Sequence, residues 1–269
     1  MRAPDVFDEH LARWQDWCAS PWGRLRFAVV HETLGRHLAS LGPAPLRVLD
    51  VGGGDARDSL PLAIAGHDVT VVDTAPGMLG AADRRATEAG VPLRTVRAGL
   101  DDLAGLGDGF DLVLCHFVLH YRPAAEPDLA RLAAAVRPGG LLSVMAPNPA
   151  GVVLQKLVRG GPSAALEELA SDRWHTVTFA EDGRKYSREE CATEMAACGL
   201  EVLDWYGGRC ANDLLTDDEA KRDPDYFATL ERLELQLCDR EPFRRIGLFW
   251  QQLGRRPSVS GVAPESARR

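Results

Sequence analysis

The segment Val48-Leu49-Asp50-Val51-Gly52-Gly53-Gly54-Asp55-Ala56 constrains this chain more than any other. An apolar run ends in an acid, three glycines follow, and residues 57–65 read as a helix. A buried strand that passes through a glycine turn into a helix makes a nucleotide-type pocket. Glycine tolerates φ > 0 and leaves no Cβ between the backbone and a ligand. The same glycines would also serve a plain tight turn, so the loop alone leaves both readings open. A dinucleotide fingerprint wants a third glycine three residues after the second. Arg57 stands there, which speaks against a pyrophosphate cofactor.

After the loop the chain alternates strand and helix. Asp68–Asp73, Leu93–Arg97, Phe110–Cys115 and Leu141–Ala146 read as strands. Pro76–Glu88 reads as a helix with Thr74 as its N-cap, and Pro127–Val136 as a helix closed by Arg137-Pro138-Gly139-Gly140. Five strands alternating with helices imply an α/β fold with a parallel, doubly wound, Rossmann-like sheet. Residues 1–45 form a helical N-terminal arm. Phe7, Leu11, Trp14 and Cys18 give the first amphipathic face, Ser20-Pro21-Trp22-Gly23 breaks it, and a second helix follows. The core domain spans 46–257 and carries two insertions expected to form a cap. The first, about 147–187, holds a helical piece near Ala164–Ala170 and a polar loop, Ala180–Lys185. A helix, Arg188–Cys198, and a sixth strand, Leu200–Tyr206, come next. The second insertion, 207–241, contains the helix Tyr226–Leu237, and Ile246–Arg255 reads as the last strand. A small polar tail, 258–269, is expected to fray.

Bulk properties narrow the function classes. The net charge of −8 excludes a general nucleic-acid-binding surface but leaves room for a local basic patch. No run approaches the roughly 18 apolar residues of a membrane span. The start, Met1-Arg2-Ala3-Pro4-Asp5, lacks the hydrophobic core of a secretory leader, so a cytoplasmic protein is expected. Six scattered cysteines without Cys-x-x-Cys spacing read as free thiols, and no metal site is expected. The oligomeric state is open.

Candidate ligand contacts follow from the strand ends. Asp73 closes the second strand nineteen residues after Gly54, where an acid accepts hydrogen bonds from ribose hydroxyls. The alternative is a charge at a helix N-terminus. Asp101 and Asp102 follow the third strand, as partners of an adenine amine or as a solvated loop. Met78 and Leu100 would pack on an adenine or simply in the core.

Val48–Ala56, Asp73-Thr74-Ala75-Pro76-Gly77-Met78, Phe110–Cys115 and Arg137-Pro138-Gly139-Gly140-Leu141 fall in order along residues 46–147. Together they resemble the successive motifs of the class I S-adenosylmethionine-dependent methyltransferases. The resemblance implies a seven-stranded, mostly parallel sheet with an antiparallel last strand, and S-adenosylmethionine as cofactor. Gly23-Arg24-Leu25-Arg26, Cys115–His120, Gly207-Gly208-Arg209 and Leu230–Phe243 carry a narrower resemblance, to the bacterial tRNA carboxymethoxyuridine methyltransferases. It implies that Arg26 binds the cofactor carboxylate, Gly52 and Gly53 its backbone, and Asp73 its ribose. It also places His116 near the sulfonium and Arg209 on the substrate side. With Asp50, Gly54, Thr74, Met78, Leu100 and Asp101, these residues make up the expected cofactor site. The first insertion departs from that family. There Glu167, Glu168, Asp172, Glu181 and Asp182 intersperse with Arg173, Arg184 and Lys185. Such a pattern also suits a smaller carboxylate or hydroxyl acceptor.

Methyl transfer is an in-line displacement that needs the acceptor about 3 Å from the methyl group. A carboxylate is already ionised at neutral pH and needs only a cationic clamp. Arg209 offers a planar fork for it, unless it pairs with Asp204 or Asp213. A hydroxyl wants a general base, and His116 or His120 stands just past the fourth strand. Each also reads as a helix-start histidine with its own hydrogen bond. Tyr121 would shape the acceptor pocket, and Trp14, Trp17 and Trp22 would cover the site or pack the arm. Three functions follow. They are an O-methyltransferase of a carboxylate, in tRNA carboxymethoxyuridine or a related acid; a small-molecule O-methyltransferase; and a non-catalytic cofactor-binding regulator. A nicotinamide oxidoreductase is disfavoured by Arg57 and the Pro138-Gly139-Gly140 turn.

Overall fold

The computed structural model describes residues 7–43, 45–176 and 178–258. Residues 1–6 and 44 of the arm, residue 177, and residues 259–269 of the expected tail lie outside the described residues. Five strands run parallel: β1 (Arg47–Val51), β2 (Asp68–Asp73), β3 (Arg94–Arg97), β4 (Phe110–His116) and β5 (Val136–Pro147). They belong to a seven-stranded sheet of order β3-β2-β1-β4-β5-β9-β8. β9 (Phe249–Arg255) lies between β5 and β8 (Glu201–Gly208) and is antiparallel to both, as the resemblance implies.

The apolar runs of the strands are explained by burial on both faces. Val48, Val71, Leu112 and Leu114 share one core with α2 (Pro21–Leu38), α3 (Leu60–Ile64) and α4 (Pro76–Ala89). Their alternates Leu49, Val51, Val113 and Cys115 share the other with α5 (Glu126–Ala135) and α7 (Arg188–Ala197). Successive strand residues point to opposite faces, so each run fills two cores at once.

Several boundaries differ from expectation. The break in the arm is one residue: α1 (Leu11–Ala19) ends, Ser20 accepts from Gly23 N as N-cap, and Pro21 opens α2. Thr74 does not cap α4. The N-cap is Ala75, whose amide Asp73 Oδ1 accepts. The Pro138-Gly139-Gly140 turn lies inside β5, where pairing with β4 shifts register. The first insertion is more ordered than its sequence suggests. Its helix α6 runs Pro149–Ala170, bent at Gly161 (φ 78°) before Pro162. The expected polar loop is half of an antiparallel hairpin, β6 (Arg173–Thr176) with β7 (Glu181–Arg184). In the second insertion α8 (Pro224–Leu237) begins two residues early, because Asp223 caps it. Among the described residues no helix is long and apolar enough to cross a membrane.

Candidate active site

The carboxyl ends of β1, β2 and β4 open into a cavity of about 810 Å³. It lies where the strand order reverses beside β1, the position at which α/β sheets bind ligands. The glycine loop forms its floor. Gly52 has φ 67°, and a Cβ there would stand 2.3 Å from Val118 Cγ2; one on Gly53 would stand 2.5 Å from Asp50 Cγ. The amides of Gly52 (2.7 Å) and Gly53 (3.2 Å) donate to the Val72 carbonyl. The Gly54 amide donates to Asp73 Oδ2 at 2.9 Å. The loop is therefore stitched to β2, and Asp73 is fixed at the cavity edge. Burial raises the Asp73 carboxyl, against the bonds from Ala75 and Gly54. Asp50 is buried with Oδ2 unpartnered, and burial, with Asp58 nearby, pushes its pKa up to about 7. Thr74, Met78, Leu100 and Asp101 line the same half. Asp101 is exposed and pairs with Arg122 at 3.1 Å.

A buried polar chain crosses beneath this floor. Arg26 grips Asp58 with both Nη atoms, Nη2 to Oδ2 at 2.6 Å. His116 Nδ1 lies 2.8 Å from Asp58 Oδ2, and Nε2 lies 2.9 Å from Ser143 Oγ. Gln251 Nε2 donates to that same Ser143 oxygen at 2.9 Å. Burial works to raise the Asp58 carboxyl, but Arg26 and His116 hold it well below the usual range. Burial lowers the His116 imidazole, with Asp58 opposing. The consistent assignment is a neutral His116 that donates from Nδ1 to Asp58 and accepts at Nε2 from the serine hydroxyl. Both nitrogens are engaged.

The other half of the cavity is lined by residues of both insertions and of the turn after β4. His120 is 1% exposed, and neither ring nitrogen has a hydrogen-bond partner. Burial, with Arg184 nearby, pushes it down to about 3, so it is neutral and a weak base. Tyr121 and Trp174 pack on its ring at centroid distances of 4.0 and 5.1 Å. The Tyr121 hydroxyl lies 2.7 Å from Thr176 Oγ1, and burial raises it to about 12. The arm closes this side. Phe7 packs edge-on to Tyr121 and Phe179, and Trp14 Nε1 donates to Asp55 Oδ1 at 3.0 Å. Trp17 stacks on Trp14, and both line the cavity with Trp22.

Arg209 follows β8 in a left-handed conformation, φ 58°. Its Nε and Nη2 donate to Asp213 at 2.9 and 2.5 Å, and Gln155 Nε2 donates to Asp213 Oδ1 at 2.6 Å. The following amides, of Cys210, Ala211 and Asn212, all donate to the buried Glu234 carboxylate of α8, at 2.6, 3.0 and 2.7 Å. The fully buried Lys221 donates to the carbonyls of Asn212 (3.0 Å) and Leu215 (2.8 Å) and to Asp218. This loop is pinned from three sides.

Every candidate residue named from the sequence lines this cavity. Of the two readings left open for Arg209, the structure gives the Asp213 pair, buried and on the cavity wall. Sequence reading missed Asp58, whose two partners come from distant segments on either side of it, so that no local signal marks it. It also missed Val152, Gln155, Lys156 and Arg159, which face the cavity from α6. Val152, Lys156 and Arg159 share a face only once α6 is formed, and three of these four residues are polar, so no apolar periodicity marks them.

Comparison with known proteins agrees with this architecture. The family model described as "Methyltransferase domain" matches residues 48–140. The tRNA 5-carboxymethoxyuridine methyltransferase of Escherichia coli is 30% identical over 240 residues, covering 87% of this chain and 89% of that one. A ubiquinone biosynthesis O-methyltransferase of Azorhizobium caulinodans is 34% identical over 218 residues, covering 75% and 81%. Among solved structures, the magnesium protoporphyrin IX methyltransferase of Synechocystis with bound S-adenosylhomocysteine shares the fold. Its TM-score is 0.62 at 18% identity, covering 93% of this chain and 97% of that one. With its ordered motifs, its seven-stranded sheet and a relative aligned along most of both chains, this chain belongs to the class I S-adenosylmethionine-dependent methyltransferases.

Proposed function

We propose that this methyltransferase methylates a carboxylate oxygen, in the carboxymethoxyuridine of tRNA or in a related acid. The observation that carries the reading is the state of the two cavity histidines. His116 has both nitrogens engaged, and His120 is held neutral with its pKa pushed down to about 3. Neither is suited to remove a proton from a hydroxyl near neutral pH. A carboxylate acceptor arrives ionised and needs no base.

The cofactor half suits S-adenosylmethionine. Asp73 is anchored by two amides, and its oxygens keep lone pairs for ribose hydroxyls. The loop stands where a Cβ on Gly54 would meet no atom closer than Met78 Sδ at 3.8 Å, which leaves the floor open to a ligand. Met78 and Leu100 offer apolar surface for an adenine ring. Thr74 and Asp101 sit at the polar edge of this half. Both Nη atoms of Arg26 are on Asp58, so a cofactor carboxylate placed there shares the guanidinium with that acid. When bound, the cofactor supplies an electrophilic methyl group on a good leaving group. What the chain adds is positioning and the exclusion of water. His116 holds Asp58, Asp58 orients Arg26, and the arm covers the opening. On the cap side Arg209 presents Nη1, which has no protein partner among the described residues, as a directional donor to the acceptor. Tyr121 and His120 form the adjoining wall.

A small acid is favoured over tRNA by one observation. The chain carries a net charge of −8, and acids are interspersed through the cap. The deciding experiment is an activity screen with isotopically labelled cofactor. It compares carboxymethoxyuridine-containing tRNA with small carboxylates and with phenols. Ester formation on an acid is expected, and methylation of phenols with none of any acid would sink the proposal.

A further inference from the structure

The charges on the cavity wall are almost all balanced within the protein. Arg26 pairs with Asp58, Arg57 with Asp55 at 2.9 Å, and Arg122 with Asp128 at 2.7 Å. On the cap side Arg159 pairs with Asp218 at 2.8 Å and Arg209 with Asp213. Among the described residues, Lys156 is the one lysine or arginine of the wall without a salt bridge or a side-chain hydrogen bond. It is solvent-exposed and lines the cavity with Val152, four residues before it, and Arg159, three after it, on one face of α6. The neighbouring polar residues of α6 on the wall are committed: Gln155 to Asp213, Arg159 to Asp218. Asp213 already accepts from Arg209, Gln155 and Asn212, and Asp218 from Arg159 and Lys221. No wall carboxylate of that half is left for Lys156.

The opposite half of the cavity has the reverse imbalance. Asp50 and Asp73 face it without a basic partner, on the side assigned to a cationic cofactor. The cavity is thus polarised, with acids unpaired at the floor and one cation unpaired at the cap.

We propose that Lys156 binds the acceptor's carboxylate and supplies the charge that selects an acid, Arg209 contributing direction rather than net charge. The inference rests on the carboxylate reading above. An ammonium on a flexible stem acts as a movable point charge, whereas the guanidinium of Arg209 is neutralised by Asp213. A carboxylate entering a wall made only of balanced pairs would lose hydration without gaining a counter-ion.

The test uses the full chain with saturating S-adenosylmethionine and three probe acids: 5-carboxymethoxyuridine as the nucleoside, benzoate and salicylate. KM is measured for each acid that the wild type methylates, and S-adenosylhomocysteine affinity is read separately by calorimetry. Lys156→Ala is expected to raise KM by about tenfold or more, as for loss of a hydrogen bond to a charged group. Lys156→Arg should restore most of it, and product affinity should hold within about twofold in both variants, below the tenfold effect sought. An unchanged KM in Lys156→Ala, or a loss of S-adenosylhomocysteine binding, overturns the proposal. Should the wild type methylate none of the acids but act on neutral phenols, the carboxylate reading itself falls and takes this inference with it.

Discussion

Asp73 and Asp50 lie one strand apart and respond differently to the same cavity. Asp73 is held by the amides of Gly54 and Ala75, so its position is set before any ligand arrives. Asp73→Ala should weaken cofactor binding by about 1.5–3 kcal/mol, the usual worth of hydrogen bonds to a charged group. Calorimetry with S-adenosylhomocysteine checks this, and an unchanged dissociation constant would remove Asp73 from the site. Asp50 has an unpartnered oxygen and a pKa of about 7, against about 3.9 for an unfolded aspartate. Between about pH 4 and 7 the folded protein therefore keeps a proton that the unfolded chain has lost. The stability that this proton contributes is complete below the unfolded value and declines as pH rises through the folded one. Asp50→Asn, neutral throughout, should gain thermal stability relative to the wild type as the pH is raised from about 5 to 8 without cofactor. Parallel Tm–pH curves for the two proteins would contradict it. Both acids stand out in the sequence because they end apolar runs. Their opposite circumstances do not, since those depend on which amides fold back onto them.

The loop joining β8 to the second insertion shows what elements contribute. Arg209 occupies a left-handed conformation that is unfavourable for a side chain with a Cβ, and the next three amides point at one carboxylate from α8. Glu234→Ala leaves those buried donors unsatisfied, so a loss of about 3 kcal/mol or more is expected in denaturant unfolding. If the loop serves the acceptor, KM for the acid should rise while cofactor affinity is retained. Equal damage to both would mean that the loop supports the whole cavity. The core strands were legible because each apolar run fills two cores. Of the helix α6 only the last turns were, as the helical piece near Ala164–Ala170. Leu157, Leu166 and Leu169 lie exposed, and Gly160-Gly161-Pro162 interrupts the pattern, so its apolar positions do not mark one buried face. The hairpin β6–β7 was hidden for another reason. It is four residues a side and charged, and it is held by tertiary contacts: Trp174 against His120, Thr176 to the Tyr121 hydroxyl and Arg184 to Glu190.

At the scale of the molecule, a net charge of −8 sets how a polyanion would approach. With carboxymethoxyuridine-containing tRNA as acceptor, kcat/KM should fall at least about tenfold between 50 and 200 mM salt, because phosphate contacts release counterions. With a small acid it should change by no more than about twofold, since one charge pair is screened weakly over that range. Reaction on tRNA that ignores salt would show that the phosphates are not engaged. The arm, the glycine loop and both insertions converge on one cavity although they are far apart in the chain. The sequence by itself determined the alternating core, the glycine floor, the acid that ends β2 and the family, because each is written in local patterning of hydrophobicity, glycine and strand-end charge. Only the tertiary structure decided which charges cancel. The Arg26–Asp58–His116 chain joins side chains 32 and 58 residues apart, and charge pairing at that range leaves no trace in local spacing. The Arg209–Asp213 pair spans four residues and was one of the readings the sequence left open; the fold selected it, and with it left Lys156 unpaired.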